Sequence, residues 1–275
     1  MAYRFTDLRP IAKSNNYSTL RTKYGETVLD DIDGVQTLNV DGRGLVDNQY
    51  ESSNVLGADG IYYGHDDTMP SRIIKVEIKI DGSRNIRDVY SELNQALHTG
   101  GRDDLERGTI NRLIFSDDKD KYYIAKYKSA DEPKEDSNTA IVTLTFECKT
   151  PFRYSVKDKT ASTSGNSLTL HTEGNARGEI IGYEIELSES LSTLDISKER
   201  YNAHAYLDHN FSAGDKVELQ YDTRKPLVKI NRQPMTKTLE LRSRYEEMRY
   251  FLNGDTYGLN TNASNFKIIY KDRWI

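Results

Sequence analysis

Cysteine is nearly absent from this chain: one residue, Cys148, occurs in 275. No disulfide within the chain is therefore possible, which fits folding in a reducing cytoplasm. Long apolar runs are missing too. With 36% hydrophobic and 29% charged residues, the composition is that of a well-solvated globular protein rather than a membrane protein. A basic excess is also lacking, since the net charge is −5. Proteins that hold DNA rely on cationic neutralisation of phosphates. A mildly acidic wall instead lets DNA pass without sticking. The N-terminus, MAYRFTDLRP, places charges where a signal peptide needs an apolar core, so the expectation is no export by the secretory route.

Phosphate-binding loops, a dinucleotide fingerprint, a G-x-S-x-G elbow and internal repeats are all missing. Tyrosine is what the chain has in quantity, with 19 against 7 phenylalanines. Its ring packs while its hydroxyl stays wet, which suits half-buried strands and interfaces.

The patterning predicts a mainly β protein with one helix in the first domain. Ile74, Val76, Ile78 and Ile80 alternate with Lys75, Glu77 and Lys79, which is a strand with one solvated face. Ile86, Val89, Tyr90, Leu93 and Leu97 follow at helical spacing, with Asn85 as N-cap, Asp88 as capping-box acid and Gly100-Gly101 as the stop. Strands are expected at 110–115 and 122–128 around the turn SDDKDK. Another is expected at 139–148, closed by Pro151 and readable as an edge strand. The polar stretch SVKDKTASTSGNS at 155–167 reads as the domain boundary, giving domains 1–154 and 155–275. In the second domain strands are expected near 168–172, 179–187, 216–221, 226–231, 236–241 and 265–271, together a β-sandwich. The Gly/Asp-rich segment 30–70 reads as a long hairpin or an extended arm.

The residue types that carry chemistry are few. Cys148 falls on an apolar face and reads as packing, not as a nucleophile. Of the five histidines, His65, His98, His171, His204 and His209, only His204, Asp208 and His209 cluster, without the spacing or further ligand that zinc prefers. Asp30, Asp31, Asp33 and Gly34 lack the alternate acids and distal Glu of a calcium loop; they read as a Gly-closed turn. The pairs Asp103–Asp104 and Glu246–Glu247 are expected by chance among 43 acidic residues. Trp274 reads as an anchor for the last strand. Tyr201, Tyr206, His204 and Asn210 form the one combination that suits a saccharide, an aromatic platform beside polar groups. An ordinary solvated loop has the same composition. Catalytic, cofactor-binding and metal-binding residues are expected to be absent, so the chain is not read as an enzyme.

Several stretches, taken in order, resemble the distal tail protein (Dit) family of siphophages. They are GADGIYYG at 57–64, RIIKVEIKIDGS at 72–83, LIFSDDKDKYYIAKY at 113–127, TLTFECKTPFRY at 143–154, FSAGDKVEL at 211–219 and YKDRWI at 270–275. The likeness is closest over 30–154 and looser beyond. Where the family often has Leu, Pro-Gly and Asn near the end, this chain has Leu252, Asn253 and Gly254 without the proline. The resemblance implies an N-terminal ring-forming domain that assembles as a hexamer, in one ring or two stacked rings, and a C-terminal galectin-like β-sandwich. The implied partners are the tail tube protein, the tail-associated fibre or lysin protein and receptor-binding proteins, with DNA only in transit and no membrane. The implied location is the virion tail tip. Three functions follow for comparison: a structural hub, an adhesion module binding host cell-wall saccharide through the C-terminal domain, and a wall hydrolase, for which the residues offer no machinery.

Overall fold

The computed structural model describes residues 20–49, 52–53, 62–63, 69–99, 110–131, 139–221 and 226–275. The expected helix stop at Gly100-Gly101, the pair Asp103–Asp104, His65 and most of GADGIYYG lie outside them. The chain divides into two compact units, Met1–Thr150 and Pro151–Ile275.

In the first unit the strands are β1 (Thr22–Tyr24), β2 (Thr27–Val28), β3 (Val35–Asp41), β4 (Ser52–Ser53), β5 (Tyr62–Tyr63) and β6 (Ile73–Asp81). Helix α1 (Ile86–Thr99), β7 (Asn111–Phe115), β8 (Lys121–Ala130) and β9 (Thr139–Ser155) follow, the last of these running past Thr150 into the second unit. One sheet runs in the order β2-β1-β7-β8-β9-β6-β3, and β4 and β5 pair separately. Ile74, Val76, Ile78 and Ile80 are wholly buried, as period-2 alternation requires. They face Ala140, Val142, Leu144 and Phe146 of β9 through an antiparallel ladder from Ile73↔Glu147 to Asp81↔Thr139. Helix α1 covers this face with Ile86, Val89, Leu93, Ala96 and Leu97. Asn85 caps it, its side-chain oxygen accepting the Arg87 amide at 3.0 Å.

Two expectations about 139–148 are corrected here. The strand is internal, between β8 and β6, and not an edge. It also continues through Pro151 to Ser155. Alternation reports which face is buried and is blind to whether a flank is paired.

Strands β1 and β3 meet through side chains. No ladder joins β1 to β3 among the described residues. Instead the Asp30 carboxylate accepts the Thr22 amide at 2.8 Å, the Thr37 amide at 2.7 Å and the Thr37 hydroxyl at 2.8 Å. Gly34 turns the chain into β3 with φ +87°, a conformation open to glycine.

The second unit is a β-sandwich. Its strands are β10 (Lys159–Thr163), β11 (Ser167–Thr169), β12 (Gly178–Leu187), β13 (Leu191–Lys198), β14 (Ala203–Phe211), β15 (Lys216–Tyr221), β16 (Pro226–Ile230) and β17 (Gln233–Pro234). A short helix α2 (Tyr245–Met248), β18 (Tyr250–Phe251), β19 (Thr256–Leu259), β20 (Ala263–Lys271) and β21 (Arg273–Trp274) complete it. One sheet has the order β10-β20-β12-β15-β16-β17, and the other β11-β19-β13-β14. Ile180, Tyr183, Ile185, Leu219, Phe266 and Ile268 of the first share one core with Leu194, Ile196, Ala205, Leu207 and Tyr257 of the second.

The polar stretch 155–167 carries β10, paired with β20 from Lys159↔Tyr270 to Thr163↔Phe266. Its Ser/Thr residues alternate on an outer strand, where solvent takes the polar face. The expected strand at 236–241 is a 3-10 turn, Thr236–Thr238, followed by a single bridge, Leu207↔Leu239. No helix is long and apolar enough to cross a membrane among the described residues.

Candidate functional site

The residues with chemical potential are tied into structure one by one. Cys148 is buried in the first core. Burial pushes its thiol up to about 12, against the pull of Arg72, so it is a poor source of nucleophilic thiolate. His98 packs edge-on against Tyr127 at 5.5 Å, and His171 meets Asn253 at 3.2 Å. Glu247 pairs with Arg244 on α2, beside Glu246. Asp30, as described, closes the seam of the first sheet. No group of three His, Cys, Asp or Glu suited to a metal exists among the described residues. Trp274 pairs with Arg153 through β21, and the Ile275 amide donates to Asn175 at 2.8 Å, which fastens the last strand within the second unit.

His204, Asp208 and His209, which read as a solvated loop, lie on strand β14 instead. Ala203, Ala205 and Leu207 are buried, so His204, Tyr206 and Asp208 take the opposite face of β14. His209 instead packs against Phe211 at 5.1 Å.

The polar-aromatic group is partly brought together. His204 stacks on Tyr206 with centroids 5.3 Å apart and planes 6° from parallel. Its Nδ1 lies 3.0 Å from both Asp195 carboxylate oxygens, and its Nε2 lies 3.1 Å from Asn202 Oδ1. The Arg242 guanidinium sits 4.1 Å from the Tyr206 centroid. The Tyr206 ring is therefore occupied by His204 and Arg242. Asn210 is exposed further along β14.

Beneath Tyr201 is a buried charge cluster that sequence reading missed. Lys198 Nζ and Asp255 are 3.1 Å apart, with side chains 1% and 0% exposed. Lys198 also donates to the Tyr250 carbonyl at 2.6 Å, and Arg200 binds the same Asp255. One signal was available: in LSTLDISK, Lys198 shares parity with the apolar Leu194 and Ile196.

Two family models match in tandem. A phage tail protein RIFT-related domain matches residues 23–148, and the C-terminal domain of a siphovirus-type tail component matches residues 174–274. The distal tail protein of Bacillus phage SPP1 is 23% identical over 274 residues, spanning 90% of this chain and 99% of that protein. The crystal structure of SPP1 Dit, described as a paradigm of the hub adsorption apparatus in phages infecting Gram-positive bacteria, superposes with a TM-score of 0.74 at 18% identity, covering 93% of this chain and 99% of that one. A chain of the phage P2 baseplate in its activated conformation with calcium superposes with a TM-score of 0.55 at 10% identity, covering 92% of this chain and 98% of that one. With both domain models in order along one chain of this fold, the chain belongs to the distal tail protein family of siphophages.

Proposed function

We propose that this chain is a non-catalytic structural component of a phage tail tip. In this reading it is a hexameric hub, joining the tail tube protein to the fibre or lysin protein and the receptor-binding apparatus, with a central opening for DNA. The observation that carries it is the tandem order of the two tail-domain matches over 23–148 and 174–274. In this reading the first unit is the ring-forming domain and the second is galectin-like in architecture.

Surface chemistry supports side-by-side assembly. Closing a ring requires two different complementary patches on each copy. In the first unit Leu45, Ile73, Ile110 and Ile141 are exposed, and this reading assigns such apolar side chains to contacts between copies. Leu45 follows a fixed base: Arg72 Nη1 donates to the carbonyls of Gly42 and Gly44, each at 2.9 Å. The expected arm over 30–70 is corrected for its first part, since Val35–Asp41 is paired in the sheet as β3; the arm of this reading begins after β3, at the root that Arg72 holds. The internal position of β9 leaves no free backbone edge there for a neighbouring copy to pair with, so side chains and the arm carry the contact in this reading.

Negative-stain microscopy of the purified protein, alone and with the tail tube and fibre proteins, tests the reading. A six-fold annulus is expected. Particles that stay monomeric with both partners present would overturn it.

A further inference from the structure

Strand β6 runs between two ends of opposite charge. At its start a cleft of about 500 Å³ is lined by Ser71 and Ile110 and by Lys126, Lys128 and Lys149, with Glu147 the one carboxylate among its described residues. Glu147 lies opposite Ile73 in the β6–β9 ladder and is taken by Lys128 at 3.2 Å. Lys126 and Lys149 are exposed and form no ion pair among the described residues. They stand on the neighbouring strands β8 and β9, where like charges repel. An incoming carboxylate relieves that repulsion. Ile110, 54% exposed, gives the same partner an apolar surface to cover.

The far end of β6 reverses the sign. The strand has 9 residues, so its ends stand roughly 26 Å apart at the usual rise. The Gly34 turn meets that end, its carbonyl accepting the Asp81 amide at 3.0 Å. Asp33, just before Gly34, and Asp88, in the first turn of α1, are both exposed. Both are close enough to Arg84 to act on its charge, but Arg84 is bound by Glu92 at 2.5 Å. Arg87 is engaged as well. Asp33 and Asp88 form no ion pair among the described residues.

We infer that these ends are the two halves of one contact between copies: Lys126 and Lys149 of one copy receive Asp33 and Asp88 of the next, with Ile110 covered at the joint. The inference rests on the hub reading and names the surfaces by which neighbours touch. Unlike patches at opposite ends of one strand make a head-to-tail interface, which repeats from copy to copy until it closes. DNA fits the cleft less well. Glu147 sits among the lysines and repels phosphate, and two uncommitted lysines are few for the run of phosphates that a duplex presents. A duplex would also leave the acidic end without a role.

The test uses the full chain, alone and with the tail tube and fibre proteins, in sedimentation velocity at low and high salt. Lys126→Glu with Lys149→Glu, and separately Asp33→Lys with Asp88→Lys, should each weaken association about tenfold or more, since like charges then meet. An equal mixture of the two variants should recover it, because every contact in an alternating assembly then pairs opposite charges. Unchanged thermal unfolding of each variant verifies the fold. A carbodiimide, which joins an amine to a touching carboxylate, should link Lys126 or Lys149 to Asp33 or Asp88 of another copy. Assembly indifferent to both reversals, or a mixture no better than its parts, would overturn this contact and leave the hub reading standing. A wild type that stays monomeric throughout would overturn both. Binding of a short DNA duplex that is lost in Lys126→Glu with Lys149→Glu, while assembly is unchanged, would assign the cleft to DNA instead.

Discussion

Lys198 and Asp255 meet at 3.1 Å with both side chains sealed from solvent, although neighbouring strands could have filled the space with apolar groups. Removing one partner leaves the other charge buried without its counterion. Lys198→Ala should therefore destabilise the second unit by about 3–5 kcal/mol. The double change Lys198→Met with Asp255→Leu should recover much of that loss while loosening the Glu199–Tyr201 turn, which Arg200 ties to Asp255. Urea unfolding followed by far-UV circular dichroism, on all three proteins, measures both effects.

Acid should weaken the same unit. Burial opposes the Asp255 charge, but hydrogen bonds from the Leu252 amide, Arg200 and Lys198 outweigh it and hold the carboxyl below its usual value. A lowered folded-state value means the unfolded chain takes up its proton first as pH falls. The contribution is complete above the ordinary carboxylate pKa of about 3.9, and it is lost as pH drops through the lowered value. Midpoint temperatures between neutral pH and pH ~2 should decline most steeply below that point, and the decline should be shallower in Asp255→Asn.

Asp30 is expected to matter to the first unit out of proportion to its exposure. Asp30→Ala removes the acceptor for two backbone amides and a hydroxyl, each worth roughly 1–3 kcal/mol when part-buried and left unmet. Asp30→Asn keeps one carbonyl acceptor and should lose less. Hydrogen exchange at Thr22 and Thr37 reads the effect locally: faster exchange in Asp30→Ala is the expected outcome.

Cys148 should be silent toward thiol reagents. Its burial and raised pKa predict that a disulfide-exchange dye reacts with the folded protein far more slowly than with the urea-unfolded chain. Equal rates would mean that the first core opens readily.

Gly42 has φ +87°, and a Cβ there would stand 2.0 Å from the Ile73 carbonyl oxygen. Gly42→Ala should cost at least about 1–3 kcal/mol and displace the Arg72-held root of the arm. Calorimetry gives the first quantity. Loss of any ring seen by microscopy gives the second.

Legibility of the fold in the sequence followed the strength of its period. The Ile74–Ile80 and Ala140–Cys148 alternations and the α1 stripe stood out because every second residue, or every third and fourth, is large and apolar. The strands β10, β13 and β14 escaped notice because Thr, Ser, Asp and His fill one face and small Ala203 and Ala205 fill the other. Position within a sheet was not legible at all, as the internal β9 demonstrates. At the candidate site Tyr201 and His204 were named from composition. Lys198 and Asp255 were not, because their pairing depends on β13 and β19 being neighbours, and nothing local announces that.

The Asp30 seam has a mechanical consequence. Along the first sheet, neighbouring strands are laced by main-chain ladders. Between β1 and β3, among the described residues, the Asp30 carboxylate and a threonine pair, Thr37 to Thr22 at 3.0 Å, take that place. Tension applied across the wall would open it there first, one side chain at a time, so a tail part under load carries its yielding point at a known address.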